Sequence, residues 1–159
     1  MKFGVYDIIN NPLPQLHQLK EVEIKGKSLD TNKDIIDILN KDLLMDKLSS
    51  EHMYALGITY GRIPKGIIQV GVGKFNECPV NMRDMAIGLL LIGAEQFMCF
   101  HNHPGGTEDP SPEDYNITEK FKKLGDLIGI EFLDHIMITQ GVYVSCKPET
   151  TDTIFGMEV

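Results

Sequence analysis

The chain has 159 residues, and its 42% hydrophobic and 24% charged content is that of one ordinary globular domain, able to bury a core without staples. A net charge of −8 argues against nucleic acid as an obligate partner, because phosphate binding relies on Lys and Arg displacing counterions. The longest apolar run, Met85 to Ala94, is too short for a bilayer, and no basic, apolar and small-residue succession follows Met1, so neither a membrane span nor a signal peptide is expected.

Residues 1–27 are expected to form an N-terminal arm or a first short strand, broken at Asn10-Asn11-Pro12-Leu13-Pro14, with a weak edge-strand alternation from Leu19 to Ile24. Asp30-Thr31-Asn32 offers capping side chains, and Ile35, Ile36, Ile38, Leu39, Leu43 and Leu44 then recur at helical spacing, predicting a helix over 32–48. Glu51 stands just ahead of an apolar run, Met53 to Tyr60, read as a buried strand. A turn at 61–66 and a second strand at 67–72 make it a hairpin. A helix is predicted over 81–95, with Met82, Met85, Leu89 and Ile92 on one face, followed by a strand over 97–101. Ser111 caps a helix at 112–127, since proline at the first helical position lacks only an unneeded N–H. Two further strands, 130–139 and 141–145, surround Gln140-Gly141, and the tail at 147–159 is expected to be loose. This order predicts an α/β domain with a mixed central β-sheet flanked by helices. Three cysteines, Cys78, Cys99 and Cys146, are an odd number without CxxC spacing, which fits a reducing, cytoplasmic location and no disulfide framework.

The chemistry concentrates between residues 97 and 114. Alternate side chains of a strand share a face, so His101 and His103 can point at one ion. Imidazole suits zinc, and a catalytic zinc typically keeps three protein ligands and one open position. Asp114 is the candidate third ligand: with Ser111 as N-cap it lies in the first helical turn, at the same helix mouth. Gly105 and Gly106 allow the intervening loop to fold tightly. Ser111-Pro112-Glu113-Asp114 is also simply a good helix start, with a cap, a first-turn proline and acids facing the helix dipole.

The two histidines, the serine and the aspartate fall in the order H-x-H-x(7)-S-x(2)-D. That pattern resembles the signature of the JAB/MPN+ (JAMM) zinc metallopeptidases. HNHPGG at 101–106, PSPED at 110–114, Leu133-Asp134-His135 and Tyr143-Val144-Ser145 resemble the RadC-like branch, with the likeness covering 28–146. The resemblance implies a three-layer, cytidine-deaminase-like fold and one Zn2+ per chain, held by His101, His103 and Asp114. It further implies that Glu51 is the general base, that Ser111 hydrogen-bonds the oxyanion, and that the reaction is hydrolysis of a peptide or isopeptide bond in a protein or peptide substrate.

There are departures: Gly105 stands where that branch usually has serine, and Ile58-Thr59 replaces a Leu-Asp pair at the end of the first strand. The chain also leaves no room for the helix-hairpin-helix region of full-length relatives, which weakens any expectation of DNA binding. Glu77 and Glu95 are rivals for the base, Cys99 shares strand parity with His101, and Asp134 and His135 are candidates for a second layer that orients a ligand. His17 and His52 have no assigned partners. The lysines at 120, 122 and 123 read as a solvated helix face. A non-catalytic interaction domain and a DNA-repair accessory factor are the alternatives to the hydrolase.

Overall fold

A computed structural model describes residues 1–74 and 79–147, together with the backbone of two short strands, Thr153–Ile154 and Met157–Glu158. Seven strands form one mixed sheet in the order β2-β1-β4-β3-β5-β6-β7. They are β1 (Lys2–Asn10), β2 (Pro14–Glu23), β3 (His52–Ile58), β4 (Pro64–Val72), β5 (Gln96–Asn102), β6 (Glu131–Thr139) and β7 (Val142–Ser145). Helix α1 (Asn32–Asp37) covers one face, while α2 (Met82–Leu91) and α3 (Pro112–Ile128) cover the other. The result is the three-layer α/β arrangement expected.

Strand alternation sorts the core into these two layers. Tyr54, Leu56, Met98, Phe100, Ile136 and Ile138 pack with Ile35, Ile38 and Leu39 beneath α1. Met53, Ala55, Phe97 and Cys99 pack instead with Met85 and Leu89 of α2 and Phe121 of α3. Gly125 seats α3 tightly: a Cβ there would lie 2.5 Å from the Ile130 carbonyl oxygen and 3.1 Å from the Phe97 ring.

Three expectations need correction. The first residues form more than an arm or one short strand: they are a hairpin whose β2 lies at the sheet edge, as the alternation from Leu19 to Ile24 suggested, and whose β1 runs parallel to β4, burying Phe3, Val5 and Val22 in the core. Pro12 and Pro14, read as breakers, mark the turn that lets β2 return. The helix expected over 32–48 is only two turns long. After α1 the backbone widens into a π-helical turn at Ile38–Asp42, with Leu43 N–H bonding the Ile38 carbonyl at 3.0 Å, and Leu44 sits at φ 53. The apolar period is satisfied all the same, because the wide turn still delivers Leu43 and Met45 to the core. The helix expected over 81–95 stops at Leu91, where Gly93 turns the chain with φ 67. The loose tail expected from 147 falls largely outside the described residues.

One topological feature positions the site. β5 and β6 are parallel and adjacent, so α3 is the crossover of a β-α-β unit. Its N-terminus must therefore start close to the C-terminal end of β5, where His101 and His103 lie.

Candidate metal centre

His101 is the penultimate residue of β5, and His103 follows just beyond the strand end. His103 remains anchored to the sheet: its N–H donates to the Ile138 carbonyl at 2.8 Å, and its carbonyl accepts from the Thr139 hydroxyl at 3.0 Å. The loop then turns sharply. Gly106 N–H returns to the His103 carbonyl at 3.2 Å, with Gly106 at φ 79, a conformation other residues resist. Ser111 opens α3 as a capping box: Asp114 N–H donates to Ser111 Oγ at 3.1 Å, and Asp114 Oδ2 accepts from the Ser111 N–H at 2.7 Å and its hydroxyl at 2.8 Å. The helix start and the ligand reading thus use the same atoms. The cap holds the Asp114 carboxylate at the helix mouth, facing β5.

There the donors converge. The Nε2 atoms of His101 and His103 are 3.0 Å apart, with Asp114 Oδ1 3.2 Å from the first and Oδ2 3.3 Å from the second. A tetrahedral ion with ligand bonds of about 2.0–2.1 Å separates its ligands by about 3.3–3.4 Å, so the triangle is close to the right size. Proton placement agrees. His103 Nδ1 faces the Thr107 carbonyl at 3.2 Å, and a carbonyl only accepts, so neutral His103 carries its proton on Nδ1 and presents the Nε2 lone pair. Lone pairs aimed at one point beside a carboxylate call for a cation. These residues can hold a divalent metal ion.

The charges are tuned to match. Burial alone would raise the Asp114 carboxyl, but the imidazoles of His101 and His103 beside it, which interact with it most favourably when protonated, outweigh that and hold the group far below the usual carboxylate range. His101 is only 2% exposed, and burial lowers its pKa despite the opposing Asp114 hydrogen bond. His103 is raised, chiefly by its hydrogen bond to Asp114. A second donor set, His101, His135 and Cys146, shares His101 but is wholly buried. Burial pushes the Cys146 thiol up, and His101 Nδ1 is already hydrogen-bonded to His135 Nε2 at 2.7 Å. The set that opens to solvent is therefore the candidate centre.

Glu51 joins it from the other side. β3 and β5 are antiparallel with Met53 opposite His101, and continuing that register by two residues sets Glu51 across from His103, on the same face. Backbone bonds hold it there: Glu51 N–H to the Lys74 carbonyl at 3.0 Å, and Gly73 N–H to the Glu51 carbonyl at 2.8 Å. Its charge helps to raise His103. Glu51, His101, His103, Ser111 and Asp114 open into one cleft of about 670 Å³, whose apolar wall includes Met53, Val80 and Ile117.

Other candidates are placed elsewhere. Glu95 precedes β5, at the end of the strand away from His101, and accepts from the Tyr60 N–H at 2.7 Å. Glu77 and Cys78 lie outside the described residues. Cys99 is fully buried, burial raises its thiol well above the usual range, and it belongs to neither donor set. His52 bonds the Ser50 carbonyl at 3.0 Å and stacks on Tyr54, facing away from the cleft. Asp134 does not orient a ligand side chain. Its carboxylate accepts from the Ser145 hydroxyl at 2.8 Å and the His135 N–H at 2.7 Å, latching β7 to β6. His135, its neighbour on the opposite face of β6, does reach His101.

Two residues escaped the sequence reading. Asn102, 1% exposed, accepts from the His52 N–H at 2.8 Å and donates to the Ser50 carbonyl at 3.0 Å, gripping the backbone on both sides of Glu51. A polar residue between two ligand histidines was the available signal. Thr118, 2% exposed, touches both the Asp114 carbonyl and His135. Its place one turn beyond Asp114 was the available hint.

Comparison with known proteins places these observations in a family. Residues 29–151 match the RadC-like JAB domain. A UPF0758 protein of Clostridium acetobutylicum is 39% identical over 111 residues, covering 68% of this chain and 48% of the relative. A UPF0758 protein of Shouchella clausii is 30% identical over 131 residues, or 80% of this chain and 55% of the relative. One from Clostridium botulinum strain Langeland is 35% identical over 123 residues, or 77% and 53%. The chain spans about half the length of these curated relatives. With residues 29–151, most of the chain, matching the family's domain and the candidate ligands gathered at one helix mouth, the chain belongs to the RadC-like JAB domain family.

Proposed function

We propose that this domain is a zinc-dependent hydrolase of peptide or isopeptide bonds, with one zinc per chain held by His101, His103 and Asp114. The observation that carries the reading is the convergence of two imidazole Nε2 atoms and a carboxylate, with Glu51 facing them across a single cleft. A zinc ion there supplies Lewis acidity and a water that ionises near neutral pH. Glu51, at its station opposite His103, would accept a proton from the attacking water and return it to the departing amine. The Ser111 hydroxyl now donates to Asp114 Oδ2. Rotation about its Cβ–Oγ bond would repoint the proton into the cleft while Oγ keeps the Asp114 N–H, to stabilise negative charge developing on the substrate carbonyl oxygen.

Among the described residues the cleft bears the carboxylates of Glu51, Asp109, Glu113 and Asp114 and a single ammonium, Lys120, so apart from the proposed zinc it offers no cationic surface for a phosphate backbone, and we read the substrate as a protein or peptide. Residues 28–146 form the catalytic unit, completed by the β1–β2 hairpin. Among the described residues no helix is long and apolar enough to cross a membrane, and the unpaired cysteines support a cytoplasmic site of action.

The test separates metal from chemistry. Purified protein should hold one zinc per chain, lost in His101→Ala and Asp114→Ala. Glu51→Gln should keep the zinc yet lose hydrolysis of a peptide library by about 10²-fold or more. Zinc-replete protein without bound metal would refute the reading, as would an active Glu51→Gln variant.

A further inference from the structure

We infer that Thr118 and His135 are positioning residues that fix the proton of His101 on Nδ1, so that its Nε2 lone pair always faces the metal position. The inference rests on the metal-binding reading above, but its first consequence exists without metal.

The relay starts at a carbonyl. Thr118 Oγ1 lies 2.6 Å from the Asp114 backbone oxygen, one helical turn back. A carbonyl has no proton to give, so the hydroxyl proton lies between the two and points at Asp114. The same Oγ1 is 2.7 Å from His135 Nδ1, and it has only lone pairs left to offer. His135 must therefore donate from Nδ1. Its Nε2 is then a bare acceptor, and that atom is 2.7 Å from His101 Nδ1. His101 donates in turn and is left with an unprotonated Nε2, 3.2 Å from Asp114 Oδ1 and 3.0 Å from His103 Nε2.

Each link has one allowed direction once the first is set. Reversing the chain would leave two acceptors, Thr118 Oγ1 and the Asp114 carbonyl, facing each other at 2.6 Å without a proton. Water cannot relax this, because His135 is fully buried and Thr118 and His101 are each 2% exposed. The Phe121 ring stands edge-on to His135, its centroid 5.2 Å away, and closes that side.

Ligand histidines usually donate their second N–H to a carboxylate or carbonyl, which fixes the tautomer by itself. A second imidazole can accept or donate, so it fixes nothing until something fixes it. Thr118 supplies that. The relay begins at the backbone of one proposed ligand, Asp114 on α3, and ends at the ring of another, His101 on β5. It thereby ties the two ligand-bearing elements together whether or not an ion is present.

The experiment uses the ¹⁵N-labelled 159-residue chain. In the zinc-free state, at a pH above the imidazole range, imidazole spectra should show His101 and His135 both protonated on Nδ1. Thr118→Val, close in shape but without the hydroxyl, should give mixed tautomers at both rings and bind zinc 10–100-fold more weakly. Thr118→Ser should restore both properties. His135→Gln keeps an acceptor for His101 that needs no partner, so adding Thr118→Val to it should produce little further loss. A proton on Nε2 of either ring in the zinc-free wild-type protein would overturn the relay, and so would a Thr118→Val variant that binds zinc as tightly as wild type. A protein that binds no zinc at all removes the proposed function, while the wild-type tautomers still decide the relay.

Discussion

β5 has two rows of side chains, and they do different work. Met98, Phe100 and Asn102 point towards α1, whereas Phe97, Cys99 and His101 point towards α2 and α3. Both rows begin in apolar packing and become polar at the strand's C-terminal end, where α3 begins. Asn102 commits its side-chain amide to the backbone of its neighbour strand, at Ser50 and His52. His101 commits one nitrogen to His135 and keeps the other for the cleft. The pleat therefore lets one short strand serve as a mechanical clamp on one side and a ligand platform on the other. Glu51 links the rows: it is gripped through the backbone from the Asn102 side and presents its carboxylate on the His101 side.

The largest expected effect breaks the mechanical row. Phe100 is 1% exposed in the core beneath α1, and Phe100→Ala should destabilise the protein by about 3–5 kcal/mol, read by denaturant unfolding. Zinc affinity of the folded fraction should stay near wild type, because the ring lies on the face away from the donors. Loss of zinc binding under conditions where the variant is folded would show that the rows are not separable.

The same contrast explains what could be read in advance. His101, His103, Ser111 and Asp114 were legible because a single β-turn-helix segment carries them, and strand parity and helix capping fix their relative positions over 14 residues. Glu51 was reachable only through family resemblance, since its approach depends on pairing between β3 and β5, about fifty residues apart in sequence. Asn102 and Thr118 had only hints in the sequence, a polar residue between two ligand histidines and a threonine one turn beyond Asp114, and neither hint names a partner. Helical spacing accounts for the contact of Thr118 with the Asp114 carbonyl, but which ring or backbone atom of another strand faces each residue is not encoded by any spacing. The N-terminal strands were legible only in part, as a short strand and a weak edge strand, because prolines stand within the turn and at the start of β2, and breakers do not reveal that the chain on either side pairs into a hairpin. The early end of α1 was missed for the opposite reason: a π-helical turn preserved the burial that the helical period had predicted.

A smaller effect tests the clamp. Asn102→Ala removes the side-chain partner of the half-buried His52 N–H and one of the two partners of the Ser50 carbonyl, a loss of about 0.5–1.5 kcal/mol. Amide exchange at 51–53 should accelerate more than elsewhere in the sheet, with zinc affinity nearly unchanged and hydrolysis reduced. Unaltered exchange there would mean that the ladder to Gly73 and Lys74 holds Glu51 unaided.

The mildest test distinguishes two histidines on one face. Zinc needs both as neutral ligands, so each proton that must leave weakens apparent affinity by about tenfold per pH unit below that group's metal-free pKa. His103 is raised above the ordinary 6.5 by its Asp114 hydrogen bond, whereas burial lowers His101 below it. In the metal-free protein the signs are opposite. His103 contributes stability that is present at low pH and lost as pH rises through its raised pKa, while the neutral state of His101 favours folding above its ordinary pKa and loses that advantage as pH falls. Between the two values only His103 has a proton to surrender. Calorimetric titration with zinc in buffers of differing ionisation enthalpy should therefore show about one proton released per zinc just below the His103 transition, rising towards two only at lower pH. Two protons released together near 6.5 would mean that the buried ring titrates like the open one. The separation between the His101 and His103 environments would then not exist.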